Sequence, residues 1–400
     1  MRLSRFLALF ASLFPLAGLA TPASAAIETS AEHGILMDGT TGQVLWAKAG
    51  YTAMPPASMS KLMTIDLLFQ RLKDGRVKLT DTFPVSESAW RTGGSKMFVS
   101  VGSRVPVEDL IRGIIIQSGN DACVVVAEAL GGTEQGFVNM MNARAKQLGL
   151  AQSHFVNPDG LPDPPGQLMS ALDLAKLAQH LITAYPQYYH YFGERSFVWN
   201  NITQQNRDTV LEKFPGADGL KTGHTDAAGY GITASAVQNG QRLILVINGL
   251  RYPDLDKASP QKQDWVAEQR RGDEAARILG VAFREFKHYQ LFKADDVVGQ
   301  ALVFKGASST VPLKTGAPLA VTMQADSRSA MKVTLNYTGP VAAPIAQSQQ
   351  VGTLTVTAPD FPGVTVPVYA AQAVAETGFF GRMALALHAL LFGNTAPAQP

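Results

Sequence analysis

The chain has 400 residues, of which 46% are hydrophobic and 16% charged, and its formal net charge at neutral pH is +2. This size and composition allow a sizeable core, while the near-neutral charge argues against nucleic acid as a partner and against strong electrostatic steering. The only cysteine, Cys123, lies in an apolar run, which excludes an internal disulfide and predicts a buried structural thiol.

The first 25 residues have the pattern of a secretory signal peptide. Arg2 and Arg5 precede an apolar run at 6–20, and small residues at 23–25 suit a cleavage site. The run is short for a membrane span, although an uncleaved anchor is the alternative reading. Cleavage predicts a protein that works outside the cytoplasm, with about 375 residues remaining for two domains.

The mature chain is predicted to begin with a hairpin of strands at 34–38 and 43–46. One helix is predicted to begin at Ser58. Further helices are predicted at 105–116, through Cys123 to Leu130, at 134–147 and at 170–184. Strands return at 229–237 and 242–248, and a helix follows at 272–286. This order indicates an α+β fold in which helical layers pack against an antiparallel sheet built from both ends of the region.

The composition changes near Tyr289. Strand-like runs separated by Gly and Pro turns, as at 317–321, 332–337 and 352–356, predict a small β-sandwich. Residues 379–392 then place apolar side chains at helical spacing, but 14 residues are fewer than the roughly 20 that span a bilayer. We expect this amphipathic helix to lie on a membrane surface, and packing on the protein itself is the alternative.

Ser58 and Lys61 stand three residues apart, just after two prolines and at the start of a strongly apolar helix. Residues i and i+3 share one helix face, so the hydroxyl and the amine can meet, whereas Ser60 points away. A nucleophilic serine needs a base within hydrogen-bond reach, and a lysine whose pKa is lowered by burial or by a neighbouring cation can serve. Ser-x-x-Lys also occurs at 259–262 and 329–332, but only the first copy opens a buried helix.

Two further short motifs supply chemical partners. Ser118-Gly119-Asn120 falls at a turn between two predicted helices, and Lys221-Thr222-Gly223 falls just before the strand at 229–237. A second Lys-Thr-Gly, at 314–316, lies in the predicted β domain and is interpreted as a plain hairpin turn. Ser-x-x-Lys, Ser-x-Asn and Lys-Thr-Gly, in this order, form the signature set of active-site serine penicillin-recognising enzymes.

The chain resembles the serine D-alanyl-D-alanine carboxypeptidases, the low-molecular-mass penicillin-binding proteins of peptidase S11 type, from about residue 27 through the C-terminal helix. The three motifs and the segments around them carry this resemblance: residues 56–64, 93–98, 117–122, 154–161 and 221–225. It implies a penicillin-binding-protein/β-lactamase-like catalytic domain at 26–290, a β-sandwich domain at 291–373, and an amphipathic membrane-anchor helix with its tail at 374–400.

The resemblance also implies a role for each motif residue. Ser58 attacks the carbonyl of a terminal D-Ala-D-Ala bond, and Lys61, kept neutral by burial and by nearby Lys221, takes its proton. Ser118 relays a proton to the leaving D-alanine, while Asn120 holds Lys61 and the substrate amide. The oxyanion lies between the backbone N–H groups of Ser58 and His224.

Carboxypeptidase action also requires recognition of a free carboxylate. Thr222, together with Arg207 and Arg271 at positions that match the family, suits this task because a planar guanidinium binds a carboxylate with two hydrogen bonds. The polar stretch at 251–269 is longer than the family leads us to expect, and there it would rim the cleft and alter substrate access.

We therefore expect a periplasmic enzyme, attached to the inner-membrane surface, that removes the C-terminal D-alanine from peptidoglycan pentapeptide stems. β-Lactam antibiotics should acylate it, and neither a metal nor another cofactor is implied. A β-lactamase shares the three motifs, but its water-activating Glu-x-x-x-Asn segment is missing between Ser118 and Lys221. A DD-endopeptidase of the same superfamily is a nearer alternative. A non-catalytic cell-wall scaffold is the alternative from a different functional class. The serine and lysine at helical spacing argue against it, because a binding protein needs neither a nucleophile nor a base.

Overall fold

The computed structural model describes residues 27–378 and Met383. The predicted signal peptide at 1–25 lies outside these residues, and so, apart from Met383, does the predicted amphipathic helix at 379–392. Helices and strands are mixed up to Glu285, and the chain from Phe286 onward is built almost entirely of strands. The predicted α+β domain followed by a small all-β domain is confirmed.

The described chain contains eight α-helices. They are α1 (Lys61–Lys73), α2 (Glu87–Arg91), α3 (Val107–Ile115), α4 (Asn120–Gly131), α5 (Glu134–Gln147), α6 (Ala171–Ala184), α7 (Val210–Lys213) and α8 (Pro260–Glu285). Short 3-10 segments precede α1 at Ala57–Ser60 and α8 at Pro253–Leu255. The side chains of Thr133 and Ser170 cap α5 and α6 by accepting hydrogen bonds from backbone N–H groups three residues on.

The strands fall into five sheets. They are β1 (His33–Asp38), β2 (Val44–Lys48), β3 (Thr82–Pro84), β4 (Arg104–Pro106), β5 (Ser196–Trp199), β6 (Ile202–Gln205), β7 (Ala217–Thr225), β8 (Gly229–Gln238), β9 (Gln241–Leu250), β10 (Phe286–Phe292), β11 (Val297–Phe304), β12 (Thr310–Thr315), β13 (Leu319–Gln324), β14 (Lys332–Tyr337), β15 (Val341–Ala342), β16 (Gln350–Ala358) and β17 (Phe361–Ala370).

The central sheet is antiparallel, with strand order β2-β1-β9-β8-β7. β8 and β9 are buried along most of their length because helices cover both faces of the sheet. β7 is an edge strand that pairs with β8 alone, so its outer edge presents unpaired backbone N–H and C=O groups. The site described below lies along that edge.

Two hydrophobic cores lie on opposite faces of this sheet. The larger core surrounds α1, which is buried nearly all round and places Phe69 within 6.2 Å of three aromatic rings, measured between centroids. The smaller core packs Ile278 and Leu279 of α8 against residues such as Ile232 of β8 and Leu245 of β9. Ser58 and Lys61 therefore stand at the start of the most deeply buried helix.

Two elements that border the cleft differ from the sequence predictions. The sequence predicts a helix from residue 272, but α8 begins at Pro260, because proline suits the first turn and residues 261–271 are mostly good helix formers. β7 is not predicted as a strand, since its Lys-Thr-Gly-His-Thr segment lacks apolar alternation. Pairing with β8 determines its conformation.

The all-β region confirms the predicted sandwich. A six-stranded sheet, β14-β16-β17-β12-β11-β15, shares one core with the two-stranded sheet β10-β13. Thr322 of β13 donates from Oγ1 to Asp38 Oδ2 at 2.6 Å, and its carbonyl accepts from Gln43 Nε2 at 2.6 Å. These contacts join the region to the β1–β2 end of the central sheet, opposite β7.

Membrane crossing requires a long and strongly apolar helix. None of the helices among residues 27–378 and Met383 meets that requirement.

Candidate active site

Ser58 lies in the 3-10 turn that precedes α1, and Lys61 is the first residue of that helix. Residues i and i+3 stack in 3-10 geometry, and Lys61 Nζ lies 2.8 Å from Ser58 Oγ. Lys61 is fully buried and also donates to the backbone carbonyl of Asp159. The fold therefore brings the serine and the lysine of the first motif into hydrogen-bond contact.

Close backbone packing holds the turn that carries Ser58. A Cβ atom at Gly160 would lie 2.1 Å from the carbonyl oxygen of Ala57, and Gly160 has a φ of +84°, in the left-handed region that favours glycine. A Cβ atom at Gly223 would lie 3.0 Å from the carbonyl oxygen of Pro56. Glycine at both positions thus allows two distant segments to press against the Ser58 turn.

Burial lowers the pKa of Lys61, and the Arg207 guanidinium lowers it further against the opposing effect of Asp159. Burial also holds the pKa of Lys221 well below its usual range, and the charge of Lys61 adds to this effect. Desolvation thus favours a neutral amine, which is the form that can accept a proton. Cys123 is buried beside them as predicted, and burial raises the pKa of its thiol to about 12.

Ser118 and Asn120 lie at the junction between α3 and α4, where Ser118 has a φ of +64°. Both side chains are almost fully buried. Asn120 Nδ2 donates to the carbonyl of Gly93 at 2.8 Å, and its Oδ1 has no hydrogen-bond partner in the described part of the chain. The resemblance implies a contact between Asn120 and Lys61, whereas here the amide holds the loop at 93–98.

Asp121 is a structural residue of the site to which sequence reasoning assigned no role. Its buried carboxylate accepts hydrogen bonds from the backbone N–H groups of Met97, Phe98 and Val99 at 2.9, 2.9 and 3.1 Å. Charge-assisted bonds of this kind are stronger than neutral ones, so they tie the loop at 93–98 to the start of α4. The position of Asp121 directly after the Ser-Gly-Asn motif was the available signal.

β7 carries the Lys-Thr-Gly motif along the free edge of the sheet. Alternation along the strand places Lys221 and Gly223 toward the Ser58 turn, and Thr222 and His224 toward α8. The ring of His224 stacks on Tyr230 of β8, with centroids 3.7 Å apart and planes within 5° of parallel. Burial lowers the pKa of His224, which favours the neutral imidazole.

The two predicted carboxylate-binding arginines are neighbours. Arg271 is 2% exposed, donates from Nη2 to the backbone carbonyl of Arg207 at 3.0 Å, and has no partner for its Nε within the described residues. Arg207 Nη1 lies 4.0 Å from Glu268 Oε1. Burial raises the pKa of the adjacent Asp208 to about 6, against the opposing effect of Arg271.

A cleft of about 340 Å³ opens at Ser58, and most of the predicted site residues line it. Seven of the ten predicted residues line it: Ser58, Ser118, Arg207, Thr222, Gly223, His224 and Arg271. The other three, Lys61, Asn120 and Lys221, are buried residues with at most 3% exposure. This arrangement offers a hydroxyl with a neutral base, together with cationic groups for an anion, and so suits acyl transfer at a peptide that ends in a carboxylate.

The cleft also contains two acidic residues that the sequence analysis did not assign, Asp264 and Glu268 of α8. Extending the predicted helix upstream of 272 would have placed them on one face with Arg271, at i, i+4 and i+7. Among the described residues, no group of three or more His, Cys, Asp or Glu side chains is arranged to hold a metal ion.

Comparisons with known proteins match nearly the whole chain. The family model described as D-alanyl-D-alanine carboxypeptidase matches residues 20–251, and the model of the penicillin-binding protein 5 C-terminal domain matches residues 286–376. Residues 252–285, which include Arg271 and all of α8, lie between the two matches.

Similar relatives and solved structures agree with the family matches. D-alanyl-D-alanine carboxypeptidase DacD of Escherichia coli is 35% identical over 90% of this chain and 91% of its own, and DacC of the same organism is 36% identical over 95% and 92%. The structure of penicillin-binding protein 5 from Haemophilus influenzae has a TM-score of 0.77 at 31% identity, covering 87% of this chain and 98% of that one. Penicillin-binding protein 6B from Escherichia coli has a TM-score of 0.67 at 32% identity, covering 85% and 95%.

Proposed function

The chain belongs to the D-alanyl-D-alanine carboxypeptidase family of serine enzymes, and we propose that Ser58 is the nucleophile through which it releases D-alanine. The observation that carries this proposal is the contact of 2.8 Å between Ser58 Oγ and the buried Nζ of Lys61. Burial favours the neutral amine, and a neutral amine at that distance can take the hydroxyl proton.

In the proposed acylation step, Ser58 Oγ attacks the carbonyl carbon of the penultimate D-alanine while its proton passes to Lys61. The C–N bond then breaks while Ser118 relays the proton held by Lys61 to the leaving nitrogen, so that both side chains regain their starting protonation and free D-alanine departs. Attack of water on the resulting ester, with the proton transfers reversed, restores the Ser58 hydroxyl and releases the shortened peptide.

Two features of the cleft support binding of the peptide in the required orientation. The free edge of β7 offers backbone groups that can pair with an extended peptide. Thr222, Arg207 and Arg271 line the same cleft, and we propose that they bind the terminal carboxylate. The backbone N–H groups of Ser58 and His224 would then bind the oxyanion, and losing one such donor costs on the order of 10²–10³ in rate.

We also propose that β-lactams acylate Ser58, since their reactive amide carbonyl would occupy the position of the scissile bond. Two of the structures that resemble this chain over most of its length are those of proteins named penicillin-binding proteins, at 31% and 32% identity. Asn120, whose buried Oδ1 has no partner among the described residues, would accept the amide N–H of either substrate or inhibitor.

Incubation of the purified protein with a peptide ending in D-Ala-D-Ala, and separately with a labelled penicillin, tests this function. We expect stoichiometric labelling by the penicillin and catalytic release of D-alanine from the peptide. Rapid turnover of the penicillin without D-alanine release would instead identify a β-lactamase. Cleavage only of cross-linked peptides would identify an endopeptidase.

The location of the enzyme is a further part of the proposal. We propose that residues 1–25 direct export to the periplasm and that the chain then divides into a catalytic domain at 26–290, a β-sandwich domain at 291–373 and an anchor at 374–400. The anchor would hold the enzyme on the inner-membrane surface by burying the apolar face of residues 379–392 in the interface.

Deletion of residues 379–392 tests the anchor. We expect the shortened enzyme to move from the membrane fraction to the soluble fraction, because the apolar face supplies the binding free energy. Deletion of the proline-containing tail at 393–400 is the matched control and should leave partitioning as it is. Membrane association that survives the first deletion would contradict the proposed anchor.

A further inference from the structure

The N-terminal half of α8 forms one wall of the cleft. Asp264, Glu268 and Arg271 occupy positions i, i+4 and i+7 of this helix and face the cleft that contains Ser58. Asp264 is exposed, whereas Glu268 is partly buried. Acidic and basic side chains thus follow one another along a single helix face beside the nucleophile.

The basic end of this wall is built for an anion. Arg271 is 98% buried, it lines the cleft, and its buried Nε has no hydrogen-bond partner within the described residues, so the guanidinium has donor capacity that the protein itself does not use. Glu268 lies 4.0 Å from Arg207 and partly offsets its charge. Asp264, one turn further away, is left as the most exposed negative charge of the wall.

The acidic end lies where the peptide upstream of the cleaved bond must run. Asp264 Oδ1 accepts a hydrogen bond from the hydroxyl of Tyr230 at 3.1 Å, and the Tyr230 ring stacks on His224. His224 follows the Lys-Thr-Gly motif on β7 and pairs with Tyr230. The direction from Arg271 to Asp264 along α8 is therefore the same as the direction from Thr222 to His224 along β7. A peptide whose carboxylate sits at the arginines therefore passes Asp264 with its earlier residues.

The spacing fits one residue of that peptide. Asp264 and Arg271 are seven residues apart, which is about 10 Å along a helix axis. Two extended residues span about 7 Å, and a four-carbon side chain adds the remaining reach. The group that comes to Asp264 therefore belongs to the side chain of the residue that precedes D-Ala-D-Ala.

We propose that Asp264, with Glu268 beside it, forms a subsite for a primary ammonium group on the side chain of the residue that precedes D-Ala-D-Ala. The proposal rests on the function proposed above, and it names the substrate class that this enzyme prefers. Charge complementarity supplies the selectivity: a ligand with a terminal carboxylate and one side-chain ammonium matches both ends of the wall, whereas a ligand without the ammonium leaves Asp264 unpaired.

Two matched peptides test the subsite: Nα-acetyl-Lys-D-Ala-D-Ala with a free side-chain amine, and the same peptide with that amine acetylated. For the wild type we expect kcat/KM to be about fivefold higher for the free amine, mainly through a lower KM, as suits an ion pair that solvent partly screens. Asp264→Asn should reduce this ratio toward one, and Asp264→Lys should invert it because like charges repel.

Glu285→Gln is the control, since Glu285 is an exposed acidic residue of the same helix about 25 Å from Glu268 along the axis. It should preserve the wild-type ratio. If the wild type hydrolyses both peptides with equal kcat/KM, the subsite is refuted and the proposed function stands. If Asp264→Asn lowers both values by the same factor, Asp264 only supports Tyr230 and the subsite is again refuted. Hydrolysis of neither peptide would overturn the proposed function and the subsite together.

Discussion

In a Ser58→Ala variant, D-alanine release from a D-Ala-D-Ala peptide is expected to fall by a factor on the order of 10⁴–10⁶, and labelling by penicillin should disappear. The physical reason is that alanine has no oxygen to form the ester, while the rest of the cleft retains only binding and electrostatic stabilisation. D-alanine release gives the rate, and mass spectrometry of the penicillin-treated protein reports the covalent adduct.

Ser60→Ala is the matched control for Ser58→Ala. Ser60 lies in the same 3-10 turn, but it is fully buried and donates to the carbonyl of Ala57 at 3.0 Å, so no substrate can reach its hydroxyl. We expect this variant to form the adduct. An adduct on Ser58→Ala equal to that on the wild type would refute the assignment of the nucleophile.

A Lys61→Arg variant is expected to lose about 10²–10⁴ in the rate of acylation, which is the range that general acid–base catalysis contributes. Burial lowers the pKa of Lys61 below its ordinary value of 10.5, so kcat/KM of the wild type should rise with pH as the amine loses its proton. The arginine stays protonated at all accessible pH values, and the rise attributed to Lys61 should vanish from its pH profile.

Lys314→Arg is the matched control for Lys61→Arg. Lys314 belongs to the second Lys-Thr-Gly, in the β domain, where it pairs with Asp295 at 2.6 Å. This variant should keep both the rate and the pH profile. A Lys61→Arg enzyme that acylates at the wild-type rate, with the rise in kcat/KM unchanged, would show that another group accepts the Ser58 proton.

The three Ser-x-x-Lys copies show how far local pattern carries a functional prediction. Ser58 and Lys61 were distinguished by the apolar helix that follows them, and the structure buries Lys61 fully. Ser259 and Lys262 are exposed at the start of α8, and Ser329 and Lys332 are exposed in the β domain. Helical spacing and flanking hydrophobicity are local properties, so one sequence was enough to predict which copy is buried.

Contacts between segments that are distant in the sequence could not be predicted from local patterns. The donation from Lys61 to the carbonyl of Asp159 joins residues 98 positions apart, and the one from Arg271 to the carbonyl of Arg207 joins residues 64 positions apart. The upstream extension of α8 was missed because residues 260–271 are polar on most sides and show no apolar stripe, which is the usual signal of a helix. Asp264 and Glu268, whose carboxylates face the cleft, lie on this unpredicted part of α8 and were therefore also missed.

The sequence by itself determined the family and the order of the two domains, and it predicts Ser58 as the nucleophile, because ordered short motifs and hydrophobic periodicity are written along the chain. Tertiary structure alone decided that Lys61 is buried enough to favour its neutral form, that Asn120 holds the loop at 93–98, and that Asp264 enters the cleft. Desolvation and the meeting of distant side chains depend on what packs around each group, and packing exists only once the sheet and its helices have assembled.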